Sequence, residues 1–284
     1  MAKVLLSFGH GFSARALAPH LISKGWRVFG TTRTPDKADA IRASGVEPIV
    51  WPGEHVPLSD VTHVLVSAGP NVDGDPVLAE LRDQITDAAD KLEWVGYLST
   101  TGVYGDHQGG WVDEDTALAP STRRGQWRVA AEADWQSLSG LPLHIFRLAG
   151  IYGPGRGPFA KVKNGTARRI IKDGQVFSRI HVDDIAQVVL ASIDRPNPGA
   201  VYNVCDDEAA PPQDVIAYAA ELLNLPIPPA VDFETAEMTP MARSFYAESK
   251  RVKNDRIKNE LGVKLLYPDY RAGLAAILHQ EFAD

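Results

Sequence analysis

Short apolar runs alternate with stretches of helical periodicity through the first half of the chain. Residues 3–8, 27–31, 46–50, 63–67, 94–99 and 143–148 read as strands, because each is brief, apolar almost throughout and bounded by glycine or polar residues. Between them, residues 14–24 put Leu17, Leu21 and Ile22 at helical spacing, and residues 76–90 put Leu78, Leu81, Ile85, Ala88 and Ala89 on one face. Residues 35–43 and 121–138 complete the helical set. Strands that are apolar on both faces need cover on both faces. The β-α-β alternation therefore predicts an α/β fold, a doubly wound parallel sheet with helices on either side.

The second half is less regular. Residues 153–180 are rich in glycine and basic side chains, residues 185–193 and 211–223 read as helices, and residues 201–204 read as a strand. Prolines at 226, 228 and 229 break the chain. A 284-residue chain that is 44% hydrophobic can bury a sizeable core, which excludes a disordered tail-like protein. Its net charge of −7 excludes nucleic acid as the main partner. Cys205 has no second cysteine to pair with, which fits a reducing compartment. No apolar run reaches the roughly 18 residues of a membrane span, and the Val4-Leu5-Leu6 run is too short for a signal-peptide core. The expected location is the cytoplasm, with no membrane partner.

Gly9-His10-Gly11-Phe12-Ser13-Ala14 lies between a strand and a helix and fits Gly-x-Gly-x-x-Ala. The first glycine allows the tight turn, the second lets backbone amides approach a pyrophosphate, and the small third residue lets helix and strand pack closely. Phosphate then sits on the helix N-terminus, with Phe12 and Ser13 beside it. At the end of the second strand, NAD binders place an acid for the ribose hydroxyls. This chain has Thr31-Thr32-Arg33, with Asp36 late. Arginine suits a 2′-phosphate, so NADP is the expected cofactor and NAD the alternative. Arg33 as an ordinary solvated loop charge is the competing explanation.

Several stretches together resemble the extended short-chain dehydrogenase/reductase family, the NAD-dependent epimerase/dehydratase group. They are the glycine turn, Tyr97-Leu98-Ser99-Thr100-Thr101-Gly102-Val103-Tyr104-Gly105 and Phe146-Arg147-Leu148-Ala149-Gly150-Ile151-Tyr152-Gly153-Pro154-Gly155-Arg156. Arg179-Ile180-His181-Val182-Asp183-Asp184-Ile185-Ala186 and Val201-Tyr202-Asn203-Val204 complete the set. The resemblance implies a Rossmann dinucleotide-binding core over residues 1–152. It implies a smaller, mostly substrate-binding part over 153–284, from which residues 176–206 return to the core. It places the dinucleotide across the carboxyl ends of the strands, near Ala68, Gly69 and Ala149. Thr100 takes the place of the substrate-polarising hydroxyl. The family's proton-shuttling tyrosine precedes a lysine by four residues and a glutamate by eight. With Glu132 in place, these positions fall on Arg128 and Arg124. An arginine keeps its proton at any relevant pH, so Arg124 cannot shuttle one. The chain resembles an atypical branch lacking the Tyr-x-x-x-Lys pair.

Candidate replacements are Tyr104, which follows the fifth strand, bound water, Tyr152, and His107 in the acidic loop. Asp106 and Glu114 read as solvated loop charges. Tyr152, Arg156 and Arg179 are candidate substrate residues, and Arg128 a holder of the cofactor ribose. Residues 179–184 read as an anchor between the substrate part and the sheet. Seven basic residues stand between 156 and 179 against Asp173 alone, either a solvated helical face or a lure for an anionic ligand such as a nucleotide-linked sugar. Trp111 and Trp127 read as packing residues, with pocket lining as the alternative. No metal-ligand spacing is present, so no metal is expected. Two functions follow. One is an NADP(H)-linked oxidoreductase or epimerase acting on a small polar or anionic substrate. The other is a catalytically silent NAD(P)(H)-binding redox sensor. Relatives pair through the helices that carry Leu81 and Glu132, so a homodimer is expected by analogy.

Overall fold

The computed structural model describes residues 3–282, and in it the predicted strands assemble into one seven-stranded sheet. The strands are β1 (Val4–Phe8), β2 (Arg27–Thr32), β3 (Glu47–Val50), β4 (His63–Val66), β5 (Trp94–Thr100), β6 (Trp111–Val112) and β7 (Leu143–Leu148). Beyond them lie β8 (Gly150–Tyr152), β9 (Arg169–Ile171), β10 (Arg179–His181), β11 (Val201–Val204), β12 (Ala230–Asp232) and β13 (Arg251–Val252). The sheet runs β3-β2-β1-β4-β5-β7-β11, and every neighbouring pair is parallel. Strand order reverses between β1 and β4. This is the doubly wound Rossmann arrangement, in which ligands sit in the crevice at the carboxyl ends of the strands.

The helices are α1 (Phe12–Ile22), α2 (Ala38–Ala43), α3 (Pro76–Ala88), α4 (Arg123–Gln136), α5 (Phe159–Lys163), α6 (Val182–Asp194), α7 (Pro212–Leu222), α8 (Pro240–Phe245), α9 (Asp255–Asn259) and α10 (Tyr270–Phe282). Alternate strand residues feed two cores. Leu6, Phe8, Val64, Val66, Val95 and Tyr97 pack with Leu78, Leu81 and Ile85 of α3 and Trp135 of α4. Leu5, Val28, Leu65, Trp94 and Phe146 pack with Leu17 and Leu21 of α1 and Ile185 and Val189 of α6. The period-two alternation of side chains is thus present but invisible as polarity, because both faces are covered. Trp94 is the largest piece of the second core. Its Nε1 donates to Ser192 Oγ at 3.0 Å, and Gly96 leaves its ring room, since a Cβ there would fall 2.0 Å from the indole.

Local chemistry sets the helix starts. Asp75 Oδ1 accepts from the amides of Val77 (2.9 Å) and Leu78 (3.1 Å), and Pro76 opens α3. Thr122 Oγ1 accepts from Gly125 N at 3.1 Å and starts α4. The outer faces of α3 and α4 carry Arg82 and Asp134, 3.8 Å apart, while Leu81 and Glu132 are buried within the chain itself.

The later residues form a lobe with its own cluster, built from Phe159, Val162, Ala219, Tyr270, Leu274 and Ile277 among others. The basic stretch is not one helix: it breaks into α5 and β9, with Arg169 Nε donating to Pro228 O at 2.9 Å and Lys172 Nζ donating to Tyr246 O. Residues past 152 also return to the core. β11 joins the sheet edge and α6 packs beside α1. Ile257, Leu261 and Val263, which the sequence pattern leaves in the lobe, pack on the same face as Trp94. Asp184 accepts from the amides of Leu266 (2.7 Å) and Tyr267 (3.1 Å), tying the lobe to the start of α6. Among the described residues, no helix is long and apolar enough to cross a membrane, and no group of three His, Cys, Asp or Glu residues is placed to hold a metal ion.

Two buried histidines give the fold a pH signature. Burial pushes His10 and His63 down to about 4, with the nearby charges of Arg15 and Lys3 acting in the same direction. Both are neutral in the fold, whereas in the unfolded chain they take up protons near 6.5. Their contribution is therefore complete above pH 6.5 and is lost as pH falls towards 4, by on the order of 3 kcal/mol for each group. Urea unfolding of His63→Asn across this range should show a shallower pH slope than the parent. An identical slope would contradict the neutral assignment.

Candidate active-site cleft

A cleft of about 890 Å³ opens where the carboxyl ends of β1, β4, β5 and β7 meet the lobe. Its first wall is the glycine turn. Gly9 has φ +74°, in the left-handed region, and a Cβ there would stand 2.9 Å from Ala68 N. Only glycine lets the end of β1 pass so close to the end of β4. The turn is pinned from β2, where Thr31 Oγ1 accepts from Gly9 N at 2.8 Å. Gly11 precedes α1 and offers no capping side chain, so the first amides of the helix point out unspent by any side chain. Ala14 is buried against the sheet, as a close helix–strand contact requires. Free N–H groups and the helix dipole at this end fit a pyrophosphate.

The facing wall is α4, with Arg124, Arg128 and Glu132 four residues apart on one side. Glu132 is buried, accepts from Ser99 Oγ and pairs with Arg147 Nη2 at 2.8 Å. That fixes the rotation of the helix. Arg128 then reaches the floor of the cleft, where its Nη1 donates to Leu98 O (2.8 Å) and Tyr97 OH (3.1 Å). Its other end lies beside Gly69, where a Cβ would come within 3.3 Å of Nη2. Arg124, one turn earlier, lines the cleft, is exposed, and has no hydrogen-bond or ion-pair partner among the described residues. Gly125 lets α4 approach the turn Thr101–Tyr104 closely, because a Cβ would stand 2.8 Å from Gly102 O. Thr100 caps that turn: its Oγ1 accepts from Gly102 N at 3.2 Å, which leaves its own proton to donate into the cleft.

The remaining candidates divide. Ala149, Tyr152, Arg156 and Arg179 line the cleft, as do Gly9, Gly11, Phe12 and Ser13. Tyr152 OH donates to Asp269 O at 3.4 Å, and burial pushes its phenol well above the usual range. Arg179 Nη1 donates to Phe177 O (2.8 Å) and Ala210 O (3.0 Å). Asp206, close enough for their charges to interact, is a carboxyl that burial pushes up to about 8. Ala68 and Gly69 lie between Ser67 and Pro70, both of which line the cleft. Arg33 stands exposed just past β2, outside the cleft and without a partner among the described residues.

Tyr104 must be corrected. It is fully buried, does not line the cleft, accepts from Arg147 Nη1 at 2.9 Å and donates to Asn203 Oδ1 at 2.7 Å. Burial pushes its phenol up to about 12. A phenol so placed satisfies a buried arginine and cannot meet a substrate. Asp106 is exposed as expected of a loop charge, whereas Glu114 is partly buried, and each carboxylate has a backbone partner. Asp106 Oδ1 accepts from Ser249 N at 2.8 Å, and Glu114 Oε1 from Asn203 N at 2.8 Å, so both fasten backbone. His107 Nε2 lies 3.2 Å from Tyr104 O, outside the cleft lining.

Sequence reasoning missed the third wall. Glu248 and Lys250 pair at 2.7 Å inside the cleft, with Lys250 Nζ donating to Gly105 O at 2.6 Å and Glu248 Oε1 accepting from Ser121 Oγ at 2.6 Å. No motif marks them, and more than a hundred residues separate them from α4. Trp127 also lines the cleft, whereas Trp111 is exposed elsewhere. Of the seven basic residues between 156 and 179, Arg156 and Arg179 reach the cleft. With Arg124, Arg128 and Lys250 they outnumber its acid, Glu248, in a protein whose net charge is −7.

Residues 5–205 match the model of the NAD dependent epimerase/dehydratase family. A functionally unknown conserved protein from Silicibacter pomeroyi DSS is 66% identical, with a TM-score of 0.96 over 98% of this chain and 99% of that one. Protein YeeZ of Escherichia coli (strain K12) is 32% identical over 286 residues, 95% of this chain and 97% of YeeZ. The human epimerase family protein SDR39U1 with NADPH shares the fold at 18% identity, with a TM-score of 0.75 over 97% of this chain and 99% of that one.

The buried network yields a prediction. Glu132→Gln leaves Arg147 charged and without its counter-ion, and should cost about 3–5 kcal/mol in urea unfolding. Tyr104→Phe should cost about 1–3 kcal/mol and leave ligand affinity unchanged. A Tyr104→Phe protein of full stability but impaired ligand binding would contradict the structural role.

Proposed function

The chain belongs to the NAD dependent epimerase/dehydratase family, and from that premise we propose that it binds a nicotinamide dinucleotide, NADP(H) in preference to NAD(H), and acts as an oxidoreductase or epimerase on a small anionic substrate. The observation that carries this reading is the meeting of two walls in one cleft. An uncapped helix N-terminus after a glycine turn faces Thr100, Arg124 and Arg128. Backbone amides of Gly11, Phe12 and Ser13 would hold the pyrophosphate, with Gly9 keeping the turn tight. Ala68, Gly69 and Ala149 are small and would leave room for ribose and ring, and Arg128 would donate to ribose hydroxyls. When bound, the nicotinamide supplies or accepts a hydride.

The chain's own groups do the rest. Thr100 donates its hydroxyl proton in a hydrogen bond to a substrate oxygen. Arg124, free and exposed at the cleft, pairs with the substrate's anionic group, orients it and stabilises charge that develops there. A guanidinium does not release its proton, and Tyr104 is out of reach, so protons pass through water admitted to the cleft. Tyr152 and Arg179 form the substrate side of the lobe. Preference for NADP(H) is supported by the absence of an acid at the end of β2 and by the unpaired Arg33 there. Solved structures that share the fold carry either NAD or NADPH, so the preference rests on these residues.

A second reading, a redox-sensing NAD(P)(H) binder without turnover, is favoured by one observation. Arg124 stands where the family carries its tyrosine, and Tyr104 does not replace that phenol. A homodimer paired through α3 and α4 is part of neither reading's chemistry and remains an expectation from relatives.

Calorimetric titration with NADPH, NADP, NADH and NAD tests the premise. NADPH should bind tightest, and Arg33→Ala should weaken it about tenfold, some 1.4 kcal/mol, without affecting NADH. Failure of all four to bind overturns both readings. Arg124→Tyr with Arg128→Lys should confer cofactor reduction with simple hydroxyl substrates that the parent does not oxidise. Persistent inactivity would mean that the pocket, and not the proton relay alone, has diverged.

A further inference from the structure

Among the cations of the cleft, Arg156 is distinguished by what it lies against. Gly153 N donates to Arg156 O at 3.2 Å and Arg156 N donates to Gly153 O at 2.9 Å, closing a tight turn just past β8. Gly155 occupies the left-handed region within it, at φ +69°, and its amide donates to a carboxylate oxygen of Glu281 in α10. The turn is thereby held from two sides. From it, the side chain crosses to the opposite wall and sets its guanidinium 5.5 Å from the centre of the Phe12 ring. Phe12 is the first residue of α1, next to the uncapped amides of the glycine turn. Arg156 is exposed to the cleft and has no carboxylate partner among the described residues.

Charge accounting shows what is missing at that spot. A pyrophosphate diester brings two negative charges, and a helix N-terminus offers about half a positive one. Arg15, in the first turn of α1, is close enough to His10 for its charge to be felt in the glycine turn, but it is exposed and does not line the cleft, so no α1 side chain supplies a cation from inside it. A guanidinium held within cation–π reach of an aromatic ring still has N–H donors to offer, and these pair with phosphate oxygens. We propose that Arg156 is a cofactor residue and not a substrate residue, a clasp from the lobe that closes over the pyrophosphate seated on α1. This rests on the dinucleotide reading above. It changes what that site does, because bound dinucleotide then bridges the core and the lobe, and the substrate's anion falls to Arg124 and not to Arg156.

ADP is the probe, because it carries the pyrophosphate without nicotinamide or 2′-phosphate. In titration calorimetry, Arg156→Ala should weaken ADP by ten- to a hundredfold, and Arg156→Lys should recover part of the loss. The dependence of affinity on salt should be shallower in Arg156→Ala than in the parent. Lys161→Ala removes an exposed cation of the same segment and should leave ADP affinity unchanged. Because Arg156 is exposed, the melting temperature of ligand-free Arg156→Ala should match the parent and so report that it is folded. Parent protein that binds ADP with Arg156→Ala binding equally well overturns the clasp and leaves the dinucleotide reading standing. An equal loss in Lys161→Ala overturns it too, in favour of bulk charge. If the parent binds neither ADP nor any of the four dinucleotides, the underlying reading fails and the clasp with it.

Discussion

The buried ion pair between Glu132 and Arg147 is the constraint on which the cleft depends. Both side chains are almost wholly out of water, and the pair spans two elements, α4 and the sheet strand β7. Stripping two charges of water costs several kcal/mol, recovered only when geometry and further hydrogen bonds are good. Here they are supplied by Ser99 on β5, Tyr104 after it and Asn203 on β11. The network therefore stitches three neighbouring strands to one helix. It sets the rotation of α4, and through the four-residue repeat it decides that Arg128 and Arg124 face the cleft.

A related economy governs the charge of the cleft. The protein is acidic overall, and carbonyl oxygens hold cations both outside the cleft (Arg169, Lys172) and within it (Arg128, Arg179, Lys250). Those that reach the cleft come from four separate stretches of chain: α4, the Gly153–Arg156 turn, β10 and the segment before β13. Such a concentration is expensive unless an anion shares it. This concentration of charge supports the anionic substrate we propose as well as the dinucleotide.

The candidate substitute for a proton-shuttling phenol looks different once Tyr104 is placed. A phenol close in sequence to the active strand end is the natural substitute on paper. In the fold its hydroxyl is committed to Arg147 and Asn203, because a buried guanidinium with an unfilled donor would cost more than the phenol gains elsewhere. The same accounting explains why Asp106 and Glu114 are not spare acids. Each satisfies a backbone amide from a distant segment, Ser249 or Asn203.

By itself, the sequence determined what depends on neighbouring residues. The strands and helices follow from runs and periods of apolar positions, and the glycine turn follows from a left-handed backbone and a close approach that only Gly9 permits. The doubly wound order follows from alternation of the two. Arg124 and Arg128 facing one way is likewise a matter of helical repeat. Only the tertiary structure decided what depends on partners far apart in the chain. It buried Tyr104, paired Glu248 with Lys250 against the turn after β5, broke the basic stretch between lobe and cleft, and returned Ile257 to the core. The reason is physical: local sequence fixes a backbone's preferences, whereas a polar side chain's role is fixed by whichever unsatisfied group the fold brings beside it.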